Sequence, residues 1–281
     1  IEQPEKITIP LKPHQLAMIH AMLNLESNGE IQVQNATGPP ERSNNYFTTT
    51  FGALCDKVGA GKSLSILGLI AHKKLLPNKP KCVRSYSSKI QEYTSYNDNL
   101  PINLLCIPHG IVGQWVNYIK EQTTLSYLLL KNKKTYEEFH TRIEEYRATG
   151  NVDLFPEDLI VVTNTLYKTI TTDLSYININ RLLVDEIETI KIPSSREIIS
   201  EFTWFISSSI NILQNPNGTY CYEPYGYVNW QGNYVENMRH VIKGKMPHSG
   251  YFKDTLSNVS NINFRNQIYL KCEDEFVEKS F

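Results

Sequence analysis

The eight residues Asp56-Lys57-Val58-Gly59-Ala60-Gly61-Lys62-Ser63 constrain this chain more than any other stretch. They follow an apolar run, Thr48 to Leu54, that reads as a strand, and they open a segment, Lys62 to Lys74, that reads as a helix. At such a junction glycines let backbone N–H groups wrap a phosphate, and the helix N-terminus adds positive potential. Lys62 is then placed to reach the β and γ phosphates of a nucleotide, and Ser63 to ligate Mg²⁺. One position departs from the general phosphate-loop pattern: Asp56 stands where Gly is usual.

A nucleotide-hydrolysing site of this kind needs a carboxylate at the end of a neighbouring strand to hold Mg²⁺, and often a second to polarise the attacking water. The apolar run Leu182-Leu183-Val184 ends in Asp185-Glu186 and supplies both. Asp185 would ligate the metal directly or through water, and Glu186 would act as base or orient the water. Alone, an acidic pair after a strand is commonly a solvated strand end. The upstream Gly61-Lys62-Ser63 gives this pair its meaning.

Elsewhere, short β-type apolar runs alternate with helix-type segments, the pattern of a parallel sheet covered on both faces. Further strand candidates are Ile102 to Ile107, Leu125 to Leu130, Leu159 to Thr163, Arg181 to Val184 and Thr203 to Ser207. Further helix candidates are His14 to Leu25, Ile111 to Glu121, Thr135 to Ala148 and Ser194 to Glu201. The expected fold is therefore α/β, three layers around a mainly parallel central sheet. Pro77 to Leu100 is polar and reads as an inserted loop, and the stretch from about Gln214 to Asn263 shows no clear period.

With 281 residues the chain can build a full core without disulfides. Its 28 Lys and Arg against 29 Asp and Glu exclude a globally basic nucleic-acid binder, so any polyanion must be bound locally. Between Ala71 and Lys134 ten Lys or Arg face three Asp or Glu, a local excess that suits phosphates or, equally, a solvated loop. The five cysteines form no CxxC, which argues against a zinc ribbon or a disulfide framework. No apolar run approaches the roughly 20 residues of a membrane span, and the start lacks a signal-peptide layout. The expected location is inside the cell, in nucleus or cytoplasm, or at a replication site or in a virion if the source is viral.

Several ordered blocks resemble the first RecA-like lobe of helicase superfamily 2, especially the Swi/Snf-type ATPases. Asp56 to Ser63 resembles that family's D-E-x-G-x-G-K-T, which accounts for Asp56. Leu11-Lys12-Pro13-His14-Gln15 resembles the block before the phosphate loop, and Leu104 to Trp115 resembles PxSLxxxW. Asp158 to Leu166 resembles xxITTYxxL, Arg181 to Ser195 resembles xxIxDEAHxIKNxxS, and Phe202 to Ser209 resembles xxxLLTGTP. Each block is weak alone; their order along residues 10 to 210 makes the resemblance specific. In its Asn-rich character and its closing segment, Ile268 to Phe281, the chain is most similar to helicases of large DNA viruses.

The resemblance implies an ATP- and Mg²⁺-dependent hydrolase of the helicase or translocase type. Gln15 would contact adenine. Gln114, Thr163 and Asn164 would lie against a nucleic-acid backbone, DNA being favoured over RNA. Glu188, in place of His, and Ser207-Ser208-Ser209, in place of Ser/Thr-Gly-Thr, would occupy positions that couple hydrolysis to movement. Residues 1–213 would form the ATP-binding lobe, and 214–281 an irregular and helical extension leading toward a second RecA-like lobe, which in this family carries an arginine finger. The alternative is a non-motor scaffold, such as a transcription-initiation or virion subunit that retains the lobe. The aromatic run Tyr220, Tyr222, Tyr225, Tyr227, Trp230 and Tyr234, followed by basic residues, reads as a packing cluster more readily than as a stacking platform for bases.

Overall fold

Runs such as Leu104–Ile107, Leu159–Val162 and Leu182–Val184 leave no polar face, so a sheet built from them must be covered on both sides. The computed structural model shows that arrangement. It describes residues 1–28, 30–34, 44–48, 50–72, 75–77, 81–87, 90–94, 99–187, 190, 198–208 and 269–279.

The strands of the main sheet are β3 (Phe51–Leu54), β6 (Asn99–Ile107), β7 (Tyr127–Leu130), β8 (Leu159–Thr163), β9 (Asn178–Val184), β10 (Ile199–Ile206) and β11 (Tyr269–Leu270). They lie in the order β11-β3-β10-β9-β6-β8-β7. Every neighbouring pair is parallel. Alternation decides the layers: Leu104, Cys106, Leu182 and Val184 face one core, Leu105, Ile107, Leu183 and Ile206 the other. Helices α4 (Lys133–Thr149) and α5 (Asn164–Asp173) cover the first face. On the second face lie α1 (Pro13–Asn28), α2 (Lys62–His72) and α3 (Val112–Gln122). The expected three-layer α/β fold with a mainly parallel sheet is the observed one.

Inside the second layer sits a buried ion pair. Arg181 on β9 donates to both carboxylate oxygens of Glu26 on α1, at 2.6 and 2.7 Å, and both side chains are fully buried. Trp204 on β10 donates its indole N–H to the same carboxylate at 2.9 Å, and the Asn103 side-chain oxygen accepts from Arg181 at 3.2 Å. One charge-assisted cluster thus ties α1 to three central strands.

Two expectations are corrected. Ser194 to Glu201 is not a helix at its end: Ile199, Ser200 and Glu201 begin β10 and pair with β9 from Asn178 onward. The parallel ladder beside a fully buried neighbour outweighs local helical spacing; residues 194–197 lie outside the described residues. Within the polar segment Pro77 to Leu100, β4 (Lys81–Ser87) and β5 (Ile90–Thr94) pair antiparallel rather than forming a plain loop. A second antiparallel pair, β1 (Glu30–Gln34) with β2 (Asn44–Thr48), precedes the main sheet. The stretch 214–263, with its aromatic run, falls outside the described residues. No helix among the described residues is long and apolar enough to cross a membrane.

Leaving β6 the chain runs toward β7, and leaving β9 it runs the opposite way toward β10. Ligand sites of open α/β sheets form outside the carboxyl ends of the strands where the order reverses in this way. The candidate residues described below come from the ends of β3, β6, β8, β9 and β10, at that edge.

Candidate nucleotide and metal site

The loop after β3 is shaped by two glycines in the left-handed region, Gly59 at φ 82° and Gly61 at φ 80°. Ala60 N–H donates to the Lys57 carbonyl at 3.2 Å and closes the turn; Ser65 N–H donates to the Gly61 carbonyl at 3.1 Å as α2 begins. Gly61 is constrained a second time: a Cβ there would lie 2.2 Å from the Gln15 side-chain nitrogen. Lys62 Nζ donates to the carbonyls of Asp56 at 2.9 Å and Lys57 at 3.2 Å, so its ammonium is held over the loop. Ser63, the next residue of α2, is half-buried.

The start of α1 braces this loop. The fully buried His14 ring makes a 2.7 Å hydrogen bond through Nε2 to the Ala60 carbonyl, which requires the proton on that nitrogen. Gln15 donates to the Gly61 carbonyl at 3.3 Å and accepts from Lys12 N–H at 2.8 Å, so both ends of its amide meet the protein.

A second brace arrives from far along the chain. Cys55 N–H donates to the Leu270 carbonyl at 2.8 Å, and Cys272 N–H donates to Asp56 Oδ1 at 2.6 Å. Lys57 pairs with Glu278 at 2.7 Å, and Phe276, on the short helix α6 (Asp274–Lys279), meets the His14 ring edge-on. Burial pushes the Asp56 carboxyl above its ordinary range, while the Cys272 amide and the charges of His14, Lys62 and Lys271 act against that rise. Sequence reasoning missed this brace, and no local signal marks it.

Asp185 directly follows β9 and is buried. Its backbone N–H donates to the Cys106 carbonyl at 3.0 Å. Its Oδ2 accepts from the indole N–H of Trp115 at 2.8 Å, and its Oδ1 from Glu186 N–H at 2.9 Å. Glu186 is half-buried and sits at φ 51°, a left-handed turn that an L-residue adopts only under constraint. Burial raises the Asp185 carboxyl to about 6; the Trp115 and Glu186 N–H groups oppose the rise, the Glu186 charge adds to it, and Lys62 opposes it.

That raised value has a sign. An Asp with a folded-state value near 6 and an ordinary value of 3.8 stabilises the fold fully below the ordinary value and loses that contribution as pH rises through 6. At about 1.36 kcal/mol per unit the loss is on the order of 3 kcal/mol. Asp185→Asn should therefore match the wild type in denaturation midpoint near pH 4 and exceed it at pH 7. Parallel midpoints across that range would contradict the burial cost.

The end of β10 bonds to both halves of the site. Ser207 N–H donates to the Leu54 carbonyl at the base of the phosphate loop, at 3.0 Å, and the Ile206 carbonyl accepts from Ile187 N–H beside Glu186, at 3.2 Å. Ser207 is buried and Ser208 half-buried; Glu188 and Ser209 lie outside the described residues.

Further along the same edge, Gln114 is exposed and donates to the Tyr118 hydroxyl at 3.0 Å. The Asn164 side-chain oxygen accepts from His109 N–H at 3.3 Å, joining the ends of β8 and β6. Thr163 is fully buried, its hydroxyl 2.9 Å from that of exposed Thr165.

Among the described residues no group of three or more His, Cys, Asp or Glu forms a self-sufficient metal cage. Mg²⁺ does not require one, since it is commonly held by one or two carboxylates together with substrate phosphates. A buried carboxylate beside a lysine-bearing phosphate loop fits that donor set.

A family model described as the SNF2-related domain matches residues 14–204. The chain belongs to the SNF2-related domain family. This match spans the phosphate loop, the acidic turn, Gln114, Thr163 and Asn164, and ends before Ser207. The chain is also 27% identical over 161 residues to "Putative helicase R592" of Acanthamoeba polyphaga mimivirus, covering 50% of this chain and 18% of that protein. In fold it resembles the Sulfolobus solfataricus SWI2/SNF2 ATPase core in complex with dsDNA, at TM-score 0.53 and 14% identity over 99% of this chain and 48% of that one. The Sulfolobus solfataricus SWI2/SNF2 ATPase core domain gives TM-score 0.50, also at 14% identity, with 100% of this chain and 47% of that one covered. The SNF2-related chain thus spans about half the length of the solved cores and less than a fifth of the viral relative.

Proposed function

We propose that this SNF2-related chain is the ATP-binding lobe of a nucleic-acid-dependent ATPase, a helicase or double-strand DNA translocase. The observation that carries the reading is that Lys62 and Asp185 lie close enough at one sheet edge for their charges to interact, with the end of β10 hydrogen-bonded both to Leu54 at the base of the phosphate loop and to Ile187 in the acidic turn. Gly59, Gly61 and Lys62 bind the phosphates, with Asp56 fixing the loop and Gln15 at the adenine side. Ser63 and Asp185 would hold Mg²⁺, which would supply neutralisation of phosphate charge. Glu186, half-buried beside Asp185, orients or deprotonates water.

Gln114 and Asn164, with the turn that Thr163 anchors, lie along a nucleic-acid backbone. DNA is favoured by the dsDNA complex of the Sulfolobus core. Glu188 and Ser207 to Ser209 transmit the nucleotide state. Residues 1–213, completed by the returning piece 269–279, constitute the lobe, and the 214–281 segment leads toward a second RecA-like lobe of the same polypeptide, in the nucleus or cytoplasm, or at a viral replication site. The intact Lys62, Asp185 and Glu186 speak against a non-motor scaffold.

The test is phosphate release by the native polypeptide carrying this lobe, with and without duplex DNA. Stimulation by DNA is expected, and its absence with both DNA and RNA would overturn the reading.

A further inference from the structure

Trp115 lies on α3 and is almost wholly buried, 1% exposed. Packing alone does not account for its chemistry. An indole N–H is a donor with no acceptor capacity, and when buried it must find a partner. Its partner is Asp185 Oδ2, 70 residues away in sequence, at 2.8 Å. The other carboxylate oxygen accepts from Glu186 N–H at 2.9 Å. An ionised carboxylate offers about four lone-pair sites. Two are therefore taken by protein donors, one on each oxygen, and the plane of the group is fixed.

Two of the three bonds that hold Asp185 come from one structural unit. Its backbone N–H is held by Cys106 of β6 and its side chain by α3, the helix that β6 leads into through the short turn His109–Ile111. A Phe at this position would fill most of the same space, but would leave Oδ2 with no donor on that side.

We propose that Trp115 is a positioning residue: its indole N–H holds the Asp185 carboxylate in the orientation that presents its remaining lone pairs to a divalent cation. This rests on the reading of Asp185 as a Mg²⁺ ligand. Partners of this kind, hydrogen-bonded behind a metal ligand, typically contribute 10- to 100-fold in metal affinity.

The experiment follows binding of a fluorescent ATP analogue to the purified chain, first with EDTA and then across a Mg²⁺ titration. Trp115→Phe should leave the EDTA affinity within about twofold of wild type and raise the half-saturating Mg²⁺ concentration about tenfold or more. Should Trp115→Phe fold poorly, benzothienylalanine at position 115 keeps the bicyclic shape and removes only the N–H, and the same shift is expected. An unchanged Mg²⁺ midpoint in a folded variant lacking the N–H, alongside a shift in Asp185→Asn, overturns the inference and leaves the nucleotide reading standing. If Asp185→Asn itself leaves the Mg²⁺ response unchanged, the assignment of Asp185 fails and the inference with it.

Discussion

Lys62→Ala should lower ATP hydrolysis by on the order of 10²- to 10³-fold while leaving the fold intact. The magnitude is that of removing one preorganised donor from a charge-developing transition state. Lys62 is suited to that role because its ammonium is held by two neutral carbonyls, Asp56 at 2.9 Å and Lys57 at 3.2 Å, and by no carboxylate hydrogen bond among the described residues. Exchanging neutral acceptors for phosphate oxygens is favourable, since charge-assisted hydrogen bonds are about twice as strong. The stability cost should be modest: the side chain is half-buried, and the two carbonyls it leaves belong to half-buried Lys57 and to buried Asp56. Phosphate release by the two proteins under saturating ATP and duplex DNA, together with their melting temperatures, checks both halves. Equal rates would remove Lys62 from the site, and with it the motor reading.

Glu26→Ala should act in the opposite sense, sparing no function because it weakens the whole lobe. Arg181 remains charged at any accessible pH, and without Glu26 it is left in a fully buried position with the Asn103 oxygen as the side-chain acceptor described. Trp204 loses the acceptor of its indole N–H as well. Breaking a buried pair from one side costs about 3–5 kcal/mol, and for a unit of this size each kcal/mol moves Tm by about 2–4 °C. A fall in Tm of about 10 °C or more is expected in thermal denaturation. Glu26→Gln should fall between the two, because it keeps an acceptor and loses the charge. Replacing both partners with apolar residues, Glu26→Leu with Arg181→Met, should recover most of the loss, since the penalty arises from the stranded charge rather than from a large net worth of the pair. A shift below about 1 kcal/mol in Glu26→Ala would mean that water reaches Arg181 after all.

What could be read from the sequence was what is encoded locally. The phosphate loop lies within eight consecutive residues, and its positive φ angles demand glycine at Gly59 and Gly61, so the pattern and the geometry coincide. Strand β8, Leu159–Thr163, was legible because Leu159–Val162 is a continuous apolar run closed by a β-branched threonine. Helix α5 was not, because Asn164–Asp173 carries four threonines with weak helical preference, and the burial of Tyr167 and Ile170 against the sheet decides its state. At the site the limit was the same. Lys62, Asp185 and Glu186 were nameable from motifs, whereas the Trp115 bond to Asp185 and the Cys272 bond to Asp56 join residues that no spacing relates. Trp115 sits on an amphipathic helix, where spacing alone makes it a core residue. It is one, and its ring also carries the N–H that reaches the acidic turn.

The brace on the phosphate loop bears on where this lobe may be cut. A polypeptide ended after residue 208 would retain every described motif residue from Gln15 to Ser208, yet it would lose β11, Cys272 and α6. Strand β3, which β11 and β10 flank, would become an open sheet edge with unpaired peptide groups, a known route to association between chains. Asp56 would lose the amide of Cys272, its hydrogen-bond donor at 2.6 Å. The foldable unit is therefore discontinuous along the chain: its last structural piece, 269–279, comes after the motifs have finished, and a boundary drawn by motifs alone would discard the support beneath the loop they define.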